Sequence, residues 1–206
     1  MARMIPLIAG LAWIGAGIGP AWAQGPSFDC SKADSTAEDA VCASETLSAL
    51  DRELTRVYSL AVKGPNMTDD RVHDLRAFQR GWVKGRNDCW KSSLGVEHCV
   101  LQEYVLRIGE IRTEFADARS EDGASTGPFP YVCEGMDVPV SVVFISAPEA
   151  IAGLTWLGGG AVLTGTPAGS GSKYTHANTT FWVQGDDATL TQADGQEVTC
   201  SRDAMN

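Results

Sequence analysis

The sequence has few of the residues that build metal centres. It contains only three histidines, and none of its six cysteines forms a C-x-x-C pair. Structural zinc sites combine closely spaced cysteines and histidines, so no metal is expected, and no other pattern implies a cofactor. The chain is also poor in basic residues, with 16 Lys and Arg against 26 Asp and Glu and a net charge of −10. Its surface should therefore repel nucleic acid and attract basic partners.

The apolar run at the start of the chain is too short to span a membrane. It covers residues 4–20, contains Gly and Pro, and falls below the roughly 20 residues of a spanning helix. Arg3 precedes it and Ala21-Trp22-Ala23 follows it, a pattern typical of a secretory signal peptide cleaved after Ala23. The first cysteine, Cys30, lies past this site, so no lipid anchor is predicted. We expect residues 1–23 to be removed and the protein to be periplasmic or secreted, without stable insertion in a membrane.

All six cysteines follow the predicted cleavage site. An even number of cysteines in an exported chain predicts three disulfides. Cys89–Cys99 would staple a helix hairpin, Cys30–Cys42 would pin the N-terminal segment, and Cys133–Cys200 would join the two ends of the last part of the chain. Crossed pairings within residues 30–99 stay open, because sequence does not fix connectivity.

The composition changes near residue 120. We predict a helical domain over residues 24–118, a linker of turn-forming residues over 119–128, and a β domain over 129–206. A capping-box pattern, Ser35-Thr36-Ala37-Glu38, marks the first of three helices. Their apolar residues at helical spacing are Leu47, Leu50, Leu54, Val57 and Ala61; Val72, Leu75, Phe78, Trp82 and Val83; and Leu101, Tyr104, Ile108, Ile111 and Phe115.

The β domain is predicted from short β-rich runs between glycine-rich turns. Frequent turns of this kind indicate a small sandwich or barrel, so the fold class is α + β in separate domains. This part holds eight acidic and only two basic residues, a net charge of −6 that by itself needs no explanation beyond solubility. The runs are Val138 to Ile145, Ala161 to Leu163, Thr179 to Val183, Ala188 to Thr191 and Glu197 to Cys200.

One motif in the β domain has the form of a catalytic signature. Ser170-Gly171-Ser172-Lys173 matches S-x-x-K of penicillin-binding proteins and serine β-lactamases. That chemistry needs the serine at the start of a helix and S-D-N and K-T-G elements elsewhere, and the sequence has neither element. No histidine-based triad or marked carboxylate pair replaces it, so the protein is not expected to be an enzyme.

The pattern of the β domain resembles the membrane-bound or periplasmic inhibitors of C-type lysozyme, the MliC family. The match covers residues 129–202 and implies a small antiparallel β-barrel closed by a disulfide. The residues that carry it are Tyr131-x-Cys133, Ser170-Gly171-x-Lys173-Tyr174, Phe181-Trp182-x-x-Gly185-Asp186-x-Ala188 and Cys200.

The helical domain resembles a second family, the LprI-type domain, which includes a mycobacterial lysozyme-inhibitor lipoprotein. The match covers residues 28–115, and its functional meaning is less specific. The residues that carry it are Asp29-Cys30, Cys42-Ala43-Ser44, Leu47-Ser48-Ala49-Leu50-Asp51, Gln79-x-x-Trp82, Arg86-Asn87-Asp88-Cys89 and Cys99.

The resemblance implies that the partner is a lysozyme, in the first place a cationic C-type enzyme. In the inhibitor family a Ser-Gly loop enters the lysozyme cleft, and its serine and a later lysine meet the two catalytic carboxylates. The serine corresponds to Ser170, within a binding loop that includes Gly171, Lys173 and Tyr174. The lysine position holds Gln184 instead, which can donate from its amide but carries no charge. The alternative is a module that binds peptidoglycan or a periplasmic protein without inhibition.

Overall fold

A computed structural model describes residues 25–203 of the chain, so the predicted signal peptide lies outside the described residues. Four α-helices come first: α1 (Thr36–Ala43), α2 (Glu45–Lys63), α3 (Asp69–Asn87) and α4 (Val96–Glu114). Eight strands follow: β1 (Ser125–Cys133), β2 (Val140–Ser146), β3 (Ala150–Trp156), β4 (Gly159–Thr166), β5 (Ser172–His176), β6 (Thr179–Gln184), β7 (Asp187–Thr191) and β8 (Glu197–Arg202). Within residues 25–203, no helix has both the length and the apolar character needed to cross a bilayer.

The first predicted helix is two helices in the structure. Ser35 caps α1 as the sequence indicates, because its side chain accepts a hydrogen bond from the Glu38 backbone N–H at 3.2 Å. The chain then leaves the helical conformation at Ser44, whose side chain accepts from the backbone N–H of Leu47 and caps α2. A second serine cap inside a continuous apolar pattern therefore separates α1 from α2.

The helical domain is held together by two disulfides and a buried polar network. Cys30 pairs with Cys42, and Cys89 pairs with Cys99. At its centre the fully buried Tyr104 hydroxyl donates to Asp51 at 2.9 Å and accepts from the Arg86 guanidinium at 2.9 Å. Burial, together with the neighbouring Asp51 carboxylate, raises the pKa of Tyr104 above its usual range, so it remains a neutral donor.

The strands form a closed antiparallel barrel in which every strand pairs with its sequence neighbours and β8 returns to β1. Cys133 and Cys200 face each other across that final pair and are joined by a disulfide. The α + β class and the small barrel are therefore confirmed. The barrel interior is filled by buried residues of all eight strands, among them Tyr131, Val142, Leu154, Leu163, Tyr174, Phe181, Leu190 and Val198.

Helix α4 packs directly on the outside of the barrel. Four aliphatic residues of β2, β3 and β4 belong to the same buried cluster as the helical core, namely Val143, Ile145, Ile151 and Val162. Gly153 on β3 permits this close approach, because a Cβ atom there would lie 2.7 Å from Cγ1 of Val105. The helical core thus continues onto the barrel surface.

The segment predicted as a linker is structured. β1 begins at Ser125, four residues before the expected start of the β domain. The buried carboxylate of Glu53 accepts hydrogen bonds from the backbone N–H groups of Ala124 and Ser125 and from the Ser125 hydroxyl. The fully buried Arg112 guanidinium donates to the carbonyl oxygens of Ala118 and Gly127, among others. Side chains of α2 and α4 therefore fix this connection in place.

Burial opposes the ionisation of Glu53, but its hydrogen bonds from Arg56, Ser125 and Ala124 outweigh that effect and lower its pKa. The Arg56 guanidinium contacts both carboxylate oxygens of Glu53, at 2.7 and 2.8 Å. Glu53 is therefore a paired, ionised carboxylate at neutral pH at the point where the two domains join.

Candidate functional site

The predicted binding loop lies at one end of the barrel. Residues 167–171 connect β4 to β5, and residues 185–186 connect β6 to β7. Because β5 and β6 pair with Ser172 opposite Val183, the residues just before β5 lie beside those that end β6. The barrel register therefore brings Ser170 and Gln184 together, although they are 14 residues apart.

Two hydrogen bonds tie the loop to β6. The Gln184 side-chain amide donates to the Ser170 hydroxyl oxygen at 3.2 Å. The Trp182 indole N–H donates to the Ser170 carbonyl oxygen at 2.9 Å. Ser170 and Gln184 are exposed, so their polar groups are both held in place and accessible to a partner.

The loop needs glycine at its last position. Gly171 has φ of 63°, in the left-handed region that L side chains rarely adopt. A Cβ atom at this residue would also collide with the carbonyl oxygen of Val183. The requirement for Gly171 is therefore both conformational and steric.

Lys173 and Tyr174 follow the loop on opposite faces of β5. The Lys173 ammonium lies 5.7 Å from the centre of the Trp182 ring, on the outer surface of the barrel. Tyr174 points into the barrel, where only 9% of it is exposed, and its ring lies 5.5 Å from that of Phe144. Burial raises the pKa of the Tyr174 hydroxyl. Of the two, Lys173 flanks the loop on the outer surface, whereas Tyr174 lies in the barrel core.

The geometry of the S-x-x-K motif differs from that of a penicillin-binding enzyme. Ser170 lies in a loop that leads into a strand, not at the start of a helix. Its hydroxyl is bonded to Gln184, and the Lys173 ammonium lies over Trp182. Ser170 and Lys173 of the motif therefore contact side chains of β6 and help to fix the conformation of the loop.

Sequence reasoning assigned no role to Trp182, which holds the loop through its indole N–H. It also gave no role to Asp186 in the β6–β7 turn and Asp187 at the start of β7, which are both exposed next to Gln184. A tryptophan two residues before the predicted contact Gln184 is the signal that could have identified the first of these. The two carboxylates make the rim beside the loop acidic.

Two histidines that are distant in sequence meet where the domains join. The rings of His98 on α4 and His176 at the end of β5 stack with centres 4.4 Å apart. Burial, and secondarily the charge of His176, lowers the pKa of His98. Neither residue contacts the loop, so both belong to the domain junction.

Comparison with known proteins identifies both halves of the chain. The sequence profile of the family described as membrane-bound lysozyme-inhibitor of c-type lysozyme matches residues 131–199. The profile of the family lysozyme inhibitor LprI matches residues 29–113. The chain therefore joins an LprI domain to an MliC domain in that order, as the sequence patterns predict.

The chain is also similar to individual proteins. The chain is 26% identical over 160 residues to lipoprotein LprI of Mycobacterium tuberculosis, covering 77% of this chain and 75% of the relative. It is 31% identical over 94 residues to an uncharacterized protein of Rhizobium meliloti, covering 45% of this chain and 68% of that protein. Among solved structures it is similar to Pseudomonas aeruginosa MliC in complex with hen egg white lysozyme, with 25% identity, coverage of 38% of this chain and 80% of that chain, and a TM-score of 0.32.

The mycobacterial alignment extends over both domains. Its 160 residues exceed the 124 residues that precede β1, so it must include part of the barrel. The similarity to that lipoprotein therefore extends from the helical domain into the barrel.

Proposed function

We propose that the protein inhibits a C-type lysozyme by placing the Ser170–Tyr174 loop in the active-site cleft of the enzyme. The observation that carries the proposal is the hydrogen bond between the exposed Gln184 amide and the exposed Ser170 hydroxyl. The family resemblance implies that these are the two positions that contact the catalytic carboxylates of lysozyme.

The pair offers two donors to such a cleft. Gln184 uses one amide hydrogen on Ser170 and keeps a second, while the Ser170 hydroxyl accepts that bond and keeps its own proton. Two donors on a fixed loop match two carboxyl groups in a cleft. The protein would then inhibit the enzyme by occlusion, because the glycan substrate cannot enter the cleft while the loop is bound. No chemical reaction is needed.

Because position 184 holds a glutamine in place of a lysine, we expect a lower affinity for lysozyme. A charge-assisted hydrogen bond is about twice as strong as a neutral one. An amide in place of an ammonium should weaken the contact by about 1 kcal/mol, equivalent to roughly fivefold lower affinity. Gln184 therefore changes the strength of the contact and leaves its geometry in place.

The charge of the barrel fits a basic partner. Residues 129–206 carry a net charge of −6, and Asp186 and Asp187 stand on the rim beside the loop. Opposite charges at the rim of an interface raise the rate of association more than they raise affinity. We place this encounter in the periplasm or outside the cell, following the predicted signal peptide at residues 1–23.

The test is titration of the mature chain, residues 24–206, into lysozymes of several classes while lysis of bacterial cell walls is followed. Ser170→Ala should weaken inhibition of a C-type enzyme, and Gln184→Lys should strengthen it. Gln196→Lys is the matched control, since it adds the same charge to the exposed β7–β8 turn at the opposite end of the barrel.

Absence of inhibition of any lysozyme at micromolar protein would reject the proposal and leave the non-inhibitory envelope module. Inhibition that Ser170→Ala and Gln184→Lys leave unchanged would instead reject the assignment of this loop.

A further inference from the structure

Helix α3 carries a row of basic residues on its outer face. From Leu75 to Asn87 the helix has no acidic residue, in a chain whose net charge is −10. Arg76, Arg80 and Lys84 follow at intervals of four, so they lie on one side of the helix and extend over about 12 Å. We call these three residues the basic row.

The basic row has no partner within the protein. All three side chains are exposed, and within residues 25–203 none of them forms an ion pair or a side-chain hydrogen bond. By contrast, the cations of Arg56, Arg86 and Arg107 are each paired with a carboxylate. The basic row is therefore available to an anionic partner.

A strip of small residues, which we call the furrow, runs beside the basic row. Ala77, Gly81 and Gly85 also recur at intervals of four and are exposed, and a Cβ at either glycine would meet no atom within 4 Å. Glycine within a helix is less favourable than alanine, and nothing in the fold requires these two. Their effect is a bare strip of backbone between the basic row and the next side chain.

Phe78 borders the furrow on its other side. It lies three residues before Gly81 and seven before Gly85, which places it on their side of the helix, and 69% of its surface is exposed. Asp74 closes the furrow towards the N-terminus of α3. The outer face of α3 thus combines three cations, a strip of alanine and glycine, and an exposed aromatic ring that also lines a cavity with Asp74, Glu110 and Glu114.

We propose that this face binds a linear glycan that carries regularly spaced anionic groups. The chain would lie in the furrow, its carboxylate or sulfate groups would pair with the basic row, and a sugar ring would stack on Phe78. Each part of the face then has a counterpart in the ligand.

The other classes of partner fit less well. A bilayer requires a helix with an apolar face directed outwards, but the apolar residue Leu75 is buried against the domain and Phe78 is the one large exposed apolar side chain of α3. A protein partner usually needs a cluster of aromatic or aliphatic anchors, whereas in α3 only Phe78 is a large exposed apolar side chain. A cationic lysozyme would be repelled by the basic row.

The experiment measures binding of the mature chain to polygalacturonate, dextran sulfate and neutral dextran by calorimetry at low and high salt. The first two probes separate carboxylate from sulfate recognition, and vesicles of phosphatidylglycerol provide the membrane comparison. Arg80→Gln/Lys84→Gln should weaken binding of the anionic glycan by about tenfold at low salt. Phe78→Ala should weaken it by about fivefold.

The matched control is Lys32→Gln/Lys63→Gln, which removes the same charge from exposed residues outside α3 and should leave binding nearly unchanged. Lysozyme inhibition by all variants should equal that of the wild type, which separates this proposal from the function of the loop.

The proposal would be overturned if the mature chain bound neither anionic glycan, or if it bound only the vesicles. It would also be overturned if Lys32→Gln/Lys63→Gln lost as much glycan affinity as Arg80→Gln/Lys84→Gln, or if Phe78→Ala bound the glycan with wild-type affinity.

Discussion

The indole N–H of Trp182 donates a hydrogen bond to the carbonyl oxygen of Ser170 over 2.9 Å. This bond connects the side chain of a barrel strand to the backbone of the exposed loop. Since Gln184 bonds to the hydroxyl of the same serine, Ser170 is held at two points from one strand. The conformation of the loop is therefore fixed in the unbound protein.

Trp182→Phe should weaken lysozyme inhibition while the fold is kept. The change removes the donor to Ser170 but retains an aromatic ring on β6. Loss of one hydrogen bond of this kind corresponds to about 1 kcal/mol, or roughly fivefold in affinity. Calorimetric titration of a C-type lysozyme measures it, with Trp90→Phe, an exposed tryptophan of the helical domain, as the control. Equal affinity for both variants would contradict a role for this bond.

Gly171→Ala should lower the stability of the barrel. Alanine at φ of 63° is strained, and its methyl group would meet the Val183 carbonyl. We expect a loss of about 1–3 kcal/mol in the free energy of unfolding, measured by urea denaturation. Gly169→Ala in the same loop has open space around its Cβ and no positive φ, so it should change little. Similar losses at both positions would show that the conformation of Gly171 is not the cause.

Gly153→Ala should disturb the contact between α4 and the barrel, because the new methyl group would be placed against Val105. Overpacking of this kind costs about 1–3 kcal/mol. The double variant with Val105→Ala should recover part of that loss, since the larger side chain is then removed. Thermal unfolding of the four proteins forms a double-mutant cycle, and strictly additive losses would argue against direct contact.

The Glu53 carboxylate should make the domain junction sensitive to acid. Its pKa is lowered in the folded protein, so it contributes stability above the unfolded pKa of about 4.3 and that stability is lost as pH falls through the folded pKa. Glu53→Gln should be less stable at pH 7 by about 1–3 kcal/mol and should lose less on acidification. Urea unfolding between pH 7 and pH 3 measures both effects.

The exposed Glu134→Gln serves as the control for Glu53→Gln and should follow the wild type. A wild-type protein whose stability is the same at pH 3 and pH 7 would contradict the assignment of Glu53.

Residue patterns predicted the helices and five of the strands, but β1, β3 and β5 were missed. Strand β3 contains Ala152 and Gly153, which have low β-propensity. Its small residues are explained by the helix α4 that covers it, a tertiary contact with no local signal. For the same reason the residues around Ser125 looked like a linker, since Glu53 and Arg112, which hold them, lie far away in sequence.

The candidate site was predictable through the family resemblance and only partly from the residues. The approach of Gln184 to Ser170 depends on the β5–β6 register, which sequence does not specify. The inward direction of Tyr174, in contrast, follows from the alternation of side chains along a strand once Lys173 faces outwards.

The aliphatic residues by which the barrel contacts α4 make it difficult to separate the barrel from the helical domain. A barrel cut from the chain at the predicted linker would expose Val143, Ile145, Ile151 and Val162 to water on one continuous face. Such a face favours self-association. Transfer of the barrel to another carrier, by evolution or by design, would therefore require new polar residues at these four positions.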